Sequence, residues 1–252
     1  MAWKGPVLSL FAASLIVGVP TVVSAVAVPA VCDGRTRLVV LGSYTGIVLL
    51  ALVCYVRTMW TDPGFIPKAQ GNCLELYMEQ MKSKGLPVCE TCQIYKPSRT
   101  HHWSQCARCV YLMDHHCPWV NNCVGAGNQK YFVLFLLYTF IAAVYGATLL
   151  GWGLLYLREK DLVITGVTLM ITSGFGGFTL QLLLEQWYYI YMNVSLVDIL
   201  QGKEIPRVSA HVAAFDGQSE GDIWRASLLA LSDRREKHQH SPGGTITSPL
   251  DR

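Results

Sequence analysis

The sequence contains little charge for a chain of its length. Aspartate, glutamate, lysine and arginine make up 15% of its 252 residues, whereas soluble domains carry about 25%. Hydrophobic residues account for 52% of the chain, so the composition argues against an ordinary soluble domain. The net charge of +3 is small and scattered along the sequence, which argues against nucleic acid as a partner.

Charge is missing altogether from four long stretches, and these predict four transmembrane helices. A helix needs about 20 apolar residues to cross the hydrocarbon core of a bilayer. The uncharged stretches place the helices at residues 6–31, 38–56, 131–157 and 162–184. Trp60 follows the second stretch and Trp187-Tyr188-Tyr189 follows the fourth, as expected for aromatic rings at the membrane interface.

The first stretch also has features of a cleaved signal peptide. Lys4 precedes it, and Ala25-Val26-Ala27 fits a cleavage site. However, the apolar run before that site is about 19 residues long, beyond the usual ~7–15. We therefore expect a retained helix.

Lysine and arginine are concentrated in the segment 57–130, between the second and third predicted helices. Because basic loops tend to remain in the cytosol, we expect this segment and both termini to be cytosolic. The sequon Asn193-Val194-Ser195 would then stay unglycosylated. The tail, residues 193–252, ends in a stretch rich in Ser, Thr, Pro and Gly, and this composition predicts disorder.

Six of the nine cysteines and four of the seven histidines lie between residues 89 and 123. Disulfide bonds would be the simplest explanation in a secreted protein, but they are rare in a reducing cytosol. Two Cys-x-x-Cys pairs, Cys89 with Cys92 and Cys106 with Cys109, are interleaved with histidine, which is typical of zinc sites. Few apolar residues are available for a separate core, so metal binding would supply much of the folding free energy.

The sequence Asp114-His115-His116-Cys117 combines an acid, a base and a thiol in four positions. A thiol becomes a strong nucleophile when a neighbouring base or metal favours the thiolate. A carboxylate bonded to the far nitrogen of an imidazole would orient that base. One histidine can therefore serve Cys117 while its neighbour binds zinc, a combination that a zinc-binding adaptor does not require.

These motifs together resemble a known family. The segment of about residues 87–132 closely resembles the cysteine-rich domain of the DHHC protein S-acyltransferases, or palmitoyltransferases. The similarity extends to Asp62-Pro63-Gly64, after the second helix, and to the residues from Asn128 to Phe132 at the start of the third. Within the domain it is carried by Cys89-x-x-Cys92, Lys96-Pro97-x-Arg99, His101-His102, Cys106-x-x-Cys109, Asp114-His115-His116-Cys117-Pro118-Trp119 and Asn122-Cys123-Val124-Gly125.

The resemblance implies an all-α integral membrane protein with four transmembrane helices and a small cytosolic zinc-binding domain between helices two and three. It implies a protein S-palmitoyltransferase that takes a long-chain acyl group from palmitoyl-CoA and passes it to cysteine thiols. The substrates would be cytosolic or membrane-associated proteins with cysteines near the bilayer. The family further suggests the membrane of the Golgi or the endoplasmic reticulum.

The resemblance also implies roles for individual residues. Cys117 is expected to carry the acyl group, with His115 as general base and Asp114 as the orienting partner. Lys96 and Arg99 match family positions that are associated with the CoA phosphates. The expected zinc ligands are Cys89, Cys92, His102 and Cys109 for one ion, and Cys106, His116 and Cys123 for a second.

The sequence departs from the family pattern at two places. Trp103 stands where the family has a cysteine ligand of the second zinc, so that site would recruit His101 or water, or remain empty. The family's Thr-Thr-x-Glu motif is replaced by Asn193-Val194-Ser195-Leu196. Both departures favour an alternative, a catalytically weak or inactive zinc-containing membrane adaptor. A transporter is more distant, since no predicted helix has an interior charged residue.

Small residues recur at helical spacing on the third predicted helix, at Ala142, Ala143, Gly146 and Ala147. They would either widen a cavity for the acyl chain or let the helices pack closely. Small residues usually serve close packing between membrane helices, and we favour that interpretation.

Overall fold

The computed structural model of the chain describes residues 5–66, 79, 82–83 and 85–202. Within these residues, four helices are long and apolar enough to cross a membrane. The first consists of α1 (Gly5–Val22), a π-helical turn (Val23–Ala27) and α2 (Val28–Val31). The others are α3 (Gly34–Trp60), α4 (Gln129–Gly153) and α5 (Glu159–Met192), and the short α6 (Leu196–Leu200) follows. The predicted four-helix architecture is confirmed.

Two of the helices extend past the uncharged stretches from which they were predicted. α3 includes Arg35, Arg37 and Arg57, and α5 continues through Glu185 to Met192. Long charged side chains near a helix end keep their stems in apolar surroundings while their charges reach water. The charges therefore mark the edge of the apolar stretch and not the end of the helix. Lys4 and the tail beyond residue 202, with its predicted disorder, lie outside the described residues.

Close contacts between α3, α4 and α5 hold the bundle together. Tyr44 of α3 is fully buried against Leu149 and Leu150 of α4. A Cβ atom on Gly146 would lie 2.9 Å from the Tyr44 hydroxyl, so Gly146 serves close packing, as favoured from the sequence. Buried threonines on α5 bond to their own helix: for example, the Thr172 hydroxyl donates to the Thr168 carbonyl at 2.7 Å.

The cysteine-rich segment between α3 and α4 forms three antiparallel β-hairpins within the described residues. The pairs are β1 (Val88–Cys89) with β2 (Ile94–Tyr95), β3 (His101–Trp103) with β4 (Arg108–Val110), and β5 (His115–Cys117) with β6 (Asn122–Val124). The all-α prediction did not include this small β component. Strands of two or three residues are too short to show the alternation that identifies a strand in a sequence.

The three hairpins repeat with a period of 14 residues. The cross-strand pairs Cys89–Ile94, Trp103–Arg108 and Cys117–Asn122 occupy equivalent places in the three ladders. The turns contain non-glycine residues with positive φ at positions 93, 107 and 121, with values of 54°, 49° and 52°. Because geometry and spacing agree, Cys89, Trp103 and Cys117 are structural counterparts of one another.

Two asparagine side chains fix the third hairpin to the end of α3. The Asn122 amide donates to the carbonyl oxygens of Thr58, Met59 and Thr61 at 3.0–3.1 Å. The Asn128 amide donates to the carbonyls of Thr58 and Cys123. Carbonyl groups in the last turn of a helix lack partners within the helix. The two amides therefore satisfy these acceptors and hold the hairpin at the helix end.

Glycines permit the segment after α3 to approach the entry to α4. Asp62 Oδ1 accepts hydrogen bonds from the backbone N–H groups of Gly64 and Phe65 at 2.8 and 2.7 Å, which forms a tight turn. A Cβ atom on Gly125 would lie 2.6 Å from the Pro63 carbonyl oxygen, and one on Gly127 would overlap the Asp62 carbonyl. The turn therefore rests directly on the backbone that leads into α4.

Candidate active site

Four of the predicted zinc ligands come together at the first two hairpins. Cys89 and Cys92 come from the first, and His102 and Cys109 face each other across the second. Their ligand atoms all lie within 4.8 Å of one another. His102 Nδ1 is 3.2 Å from Cys92 Sγ and 3.9 Å from Cys109 Sγ. Nitrogen and sulfur ligands on a tetrahedral zinc lie about 3.6–3.8 Å apart, so this first cluster fits the metal.

The second predicted set contributes three ligand atoms. Cys106 Sγ is 3.3 Å from Cys123 Sγ, and His116 Nδ1 is 3.5 Å from each sulfur. The described residues add no fourth Cys, His, Asp or Glu to this second cluster. Two sulfurs and one imidazole nitrogen at these spacings fit a zinc ion that has three protein ligands.

Trp103 stands beside the second cluster and contributes no ligand. Its indole ring stacks on the imidazole of His116, with centroids 5.5 Å apart and planes 15° apart. His101, the replacement ligand suggested by the sequence, points toward α6 instead. His101 Nε2 lies 3.6 Å from Asp198 Oδ1, and its Nδ1 pairs with the Gln201 amide.

Cys117 lies at the end of β5, where the cysteine-rich domain meets the helix bundle. It is buried in an apolar cluster with Ile16 of α1, Tyr55 of α3 and Phe135 of α4. The Tyr55 hydroxyl is 3.0 Å from the Trp119 carbonyl oxygen, to which it donates. This contact holds the loop after Cys117 against α3, so that the thiol is presented to the apolar interior.

His115 lies between Asp114 and Cys117. Its Nδ1 is 2.8 Å from Asp114 Oδ2, and Cys117 lies near enough to favour the charged form of its imidazole. Burial lowers the pKa of His115, but Asp114 and Cys117 raise it to about 9. Burial raises the pKa of Asp114, yet the hydrogen bond with His115 leaves it below its usual value. The arrangement favours a protonated imidazole of His115 between the Asp114 carboxylate and the Cys117 sulfur.

Two further groups bind Asp114, and sequence reasoning missed both. Gln186 of α5 donates from Nε2 to Asp114 Oδ2 at 2.7 Å, and the Leu196 backbone N–H donates to Oδ1 at 3.0 Å. Gln186 is buried at the end of an apolar helix. Polar side chains in such positions are costly unless they serve a contact, and this is the signal that could have identified Gln186.

The short helix α6 joins the cysteine-rich domain through Asp198. The Ser195 hydroxyl accepts from the Asp198 N–H and donates to Asp198 Oδ2, which caps the helix. Arg99 Nε donates to the same Oδ2 at 3.0 Å. Burial raises the pKa of Asp198, but the bond from Ser195 and the charge of Arg99 leave it lowered. Sequence reasoning assigned no role to Asp198.

The two residues predicted to contact CoA lie in the connection between β2 and β3. Arg99 has positive φ and donates to Asn193 Oδ1 as well as to Asp198. The guanidinium therefore links the domain to the end of α5. Lys96 lies at the start of the same connection, where its backbone N–H donates to the Pro87 carbonyl at 2.7 Å.

An apolar cavity lies among α1, α3, α4 and α5. Its volume is about 50 Å³, below the range of about 300–1,000 Å³ that is usual for ligand sites, so an acyl chain would enter it only if the lining side chains moved apart. Ile16 lines the cavity and also belongs to the apolar cluster that contains Cys117. Ala142 and Ala143 line it as well. The small residues on α4 therefore have two roles. Ala142 and Ala143 leave space at the cavity wall, and Gly146 allows close packing against Tyr44.

Comparison with known proteins gives the same family over this region. Residues 82–203 match the DHHC palmitoyltransferase family. Palmitoyltransferase ZDHHC3 of Homo sapiens is 46% identical over 115 residues, which are 44% of this chain and 38% of the relative. Palmitoyltransferase ZDHHC7 of Mus musculus is 50% identical over 106 residues, or 41% and 34%. Probable protein S-acyltransferase 13 of Arabidopsis thaliana is 35% identical over 181 residues, or 66% and 60%.

The matched region covers less than two thirds of the length of each of these relatives. The family match at residues 82–203 includes both Cys/His clusters, Asp114, His115, Cys117 and α6. The similarity therefore coincides with the part of the chain that forms the candidate site.

Proposed function

Because this chain belongs to the DHHC palmitoyltransferase family, we propose that it transfers a long-chain acyl group from acyl-CoA, palmitoyl-CoA above all, to cysteine thiols of other proteins. The observation that carries the proposal is the bond between Asp114 and His115 two residues before Cys117, whose thiol lies in an apolar cluster of the helix bundle. A nucleophilic thiol, an oriented base and apolar surroundings for an acyl chain are what transfer through an acyl-enzyme requires.

In the proposed first step, the Cys117 thiolate attacks the thioester carbonyl of acyl-CoA. The bond from the carbonyl carbon to Cys117 sulfur forms, and the bond to the CoA sulfur breaks. The imidazolium of His115 gives its proton to the departing CoA thiolate. Asp114 holds the imidazole in orientation through the bond to Nδ1 and stabilises its positive charge.

In the proposed second step, the thiol of a substrate protein loses its proton to His115 and attacks the acyl group on Cys117. Cys117 leaves as a thiolate, and the imidazolium is restored. Because Cys117 lies where the cysteine-rich domain meets the bundle, the substrate thiol has to arrive close to the membrane. This supports juxtamembrane cysteines of cytosolic or membrane-associated proteins as the substrate class.

Zinc is proposed to be structural at both clusters. Cys89, Cys92, His102 and Cys109 would hold one ion, and Cys106, His116 and Cys123 the other. The bound metal supplies folding free energy to hairpins that have little core of their own. Because both clusters are built from the same hairpins as the site, the metal would fix the strand that carries Cys117.

Lys96 and Arg99 are proposed to bind the phosphates of CoA, for which cationic side chains are suited. Arg99 already pairs with Asp198 and Asn193, so we expect Lys96 to contribute more of the phosphate contact. The acyl chain would enter the apolar cavity past Ile16.

The proposed location is the Golgi or endoplasmic reticulum membrane, with the cysteine-rich domain and both termini in the cytosol. The chain is a multi-pass membrane protein with four candidate spans. The end of α3 and the start of α4 adjoin the cysteine-rich domain and carry Arg57 and Lys130. Basic residues at that end support a cytosolic domain.

The test uses the full chain purified in detergent and incubated with radiolabelled palmitoyl-CoA. We expect label that hydroxylamine releases, as it does from a thioester. Cys117→Ser should abolish the label, whereas Cys54→Ser should retain it, because Cys54 lies in the same apolar cluster without a role in transfer. Wild-type protein that takes up no label, or label that persists in Cys117→Ser, would contradict the proposal.

A second candidate function is a zinc-containing membrane adaptor with little or no transferase activity. The observation in its favour is Trp103, which leaves the second cluster with three ligands beside the strand that carries Cys117. A displacement of ~1 Å at a catalytic group can lower a rate about 100-fold. If the wild-type protein takes up no label and the Trp103→Cys variant does, the adaptor hypothesis is correct and the transferase hypothesis is wrong.

A further inference from the structure

The two Cys/His clusters are built to one plan. In the first, Cys89 and Cys92 come from one hairpin, and His102 and Cys109 form a cross-strand pair on the next hairpin. In the second, Cys106 comes from one hairpin, and His116 and Cys123 form the cross-strand pair on the next. Each residue of the second cluster follows its counterpart by 14 positions: 92 and 106, 102 and 116, 109 and 123.

The same repeat identifies the missing ligand. The counterpart of Cys89 is Trp103, and each is the strand residue that pairs across the ladder with the residue five positions later, Ile94 or Arg108. An indole offers only an N–H donor and no lone pair for a metal. Trp103 therefore occupies the position of the fourth ligand in the fold but cannot bind the metal.

The three remaining ligands keep a metal-binding geometry. Their atoms lie 3.3–3.5 Å apart, which is close to the spacing of about 3.6–3.8 Å expected on tetrahedral zinc. The indole stacks on the face of His116, so that it fixes the ring whose Nδ1 faces both sulfurs. Trp103 therefore removes one ligand and at the same time supports another.

The neighbouring residue that could complete the cluster is held elsewhere. His101 has one ring nitrogen near Asp198 and the other paired with Gln201. No other Cys, His, Asp or Glu joins the group within the residues that the structure describes. Zinc with three protein ligands keeps one open coordination position, which a small exogenous ligand fills.

We propose that the second cluster binds zinc through Cys106, His116 and Cys123 alone, with an exchangeable small donor such as water in the fourth position. This zinc is bound more weakly than the zinc of the first cluster and exchanges faster. Loss of a residue that only hydrogen-bonds to a metal ligand lowers metal affinity about 10–100-fold. Loss of a ligand itself lowers it at least about tenfold.

The test measures metal content and metal release on the full chain in detergent. Elemental analysis of protein prepared with zinc chloride should give two zinc ions per chain. On addition of a chromogenic chelator, one ion should be released at least about tenfold faster than the other. Trp103→Cys should convert the fast ion into a slow one. Trp103→Phe keeps an aromatic ring without a ligand atom and should leave the fast ion fast.

Two results would overturn the proposal. One is a single zinc per chain even with excess zinc chloride, which means that three ligands do not suffice. The other is release of both ions at the same rate in wild type, which means that a fourth ligand comes from elsewhere. Cobalt(II) substitution provides an independent spectroscopic measurement: the sulfur-to-cobalt absorption should rise in Trp103→Cys and stay at the wild-type level in Trp103→Phe. None of these measurements depends on acyl transfer, so their failure is distinct from failure of the proposed function.

Discussion

At the scale of single residues, the carboxylate of Asp114 is the most constrained group of the site. It is 1% exposed and is bound by His115, Gln186 and the backbone N–H of Leu196. A buried charge is costly unless its hydrogen bonds are satisfied. The two donors other than His115 therefore keep Asp114 charged and directed toward the imidazole. Gln186 acts as a positioning residue, through Asp114 and His115, on a thiol that it does not touch.

Replacement of Gln186 by leucine removes the 2.7 Å bond to Asp114 Oδ2 without adding charge. A hydrogen bond to a charged group contributes about 1.5–3 kcal/mol. Without this bond Asp114 orients the His115 imidazolium less firmly, and a loss of ~1.4 kcal/mol of that stabilisation slows acylation of Cys117 by about tenfold. The measurement is the initial rate of thioester label from palmitoyl-CoA.

The matched control is Gln181→Leu, five residues earlier on α5. Gln181 is exposed and donates to Glu185 instead of the site, so its loss should leave the rate unchanged. Equal rates for Gln186→Leu and wild type would show that Asp114 does not need this donor. Zinc content measured on each variant separates slow chemistry from a disordered domain.

At the scale of elements, the site depends on how the hairpins are attached to the helices. The third hairpin is bonded to the end of α3 through Asn122, and the Asp62 turn is seated on the glycine-containing segment before α4. The first of these connections is made by Asn122, the cross-strand partner of Cys117. A substitution at this attachment shifts β5, although Asp114, His115 and Cys117 themselves are unchanged.

Gly127→Ala tests this attachment, because the added methyl group would overlap the Asp62 carbonyl. Overpacking of this kind usually costs about 1–3 kcal/mol. We expect a lower midpoint of thermal unfolding in detergent. Gly151→Ala is the control, since a Cβ atom there meets nothing within 4 Å. If both variants unfold at the wild-type temperature, the turn is not packed against Gly127.

The elements differ in how far the sequence predicts them. The four long helices are predicted from the uncharged stretches of the sequence, because a helix that crosses a bilayer needs about 20 apolar residues. The residues of the two Cys/His clusters and Cys117 follow from spacing and from family resemblance. Gln186 and Asp198 do not, because their partners Asp114 and Arg99 lie 72 and 99 residues away in the chain. Contacts between residues so far apart in the chain depend on how the helices pack. Local sequence patterns do not predict that packing.

At the scale of the whole molecule, the β-hairpin that repeats every 14 residues has two uses: it supplies Cys/His cluster residues, and it supplies the thiol of Cys117. The first two hairpins supply residues 89 with 92 and 103 with 106, and three of these four belong to the Cys/His clusters that could hold a metal. The third supplies Cys117 and Val120, and both pack in the apolar cluster of the helix bundle. Because Val120 has no thiol, Cys117 has no counterpart with which to share a metal ion. The repeat therefore places one unligated thiol at the membrane end of the domain.

The cavity behind that thiol sets the last prediction. Ala142→Leu adds a side chain to its wall, so less room remains for the far end of a palmitoyl chain. Each methylene that loses its apolar surroundings forfeits about 0.8 kcal/mol, and displacement of two should slow palmitoyl transfer to Cys117 roughly tenfold. Lauroyl-CoA, whose chain is shorter, should be used at close to the wild-type rate. Ala25→Leu, at an exposed position of the first helix, should change neither rate. Equal slowing of both donors by Ala142→Leu would mean that the acyl chain does not enter this cavity.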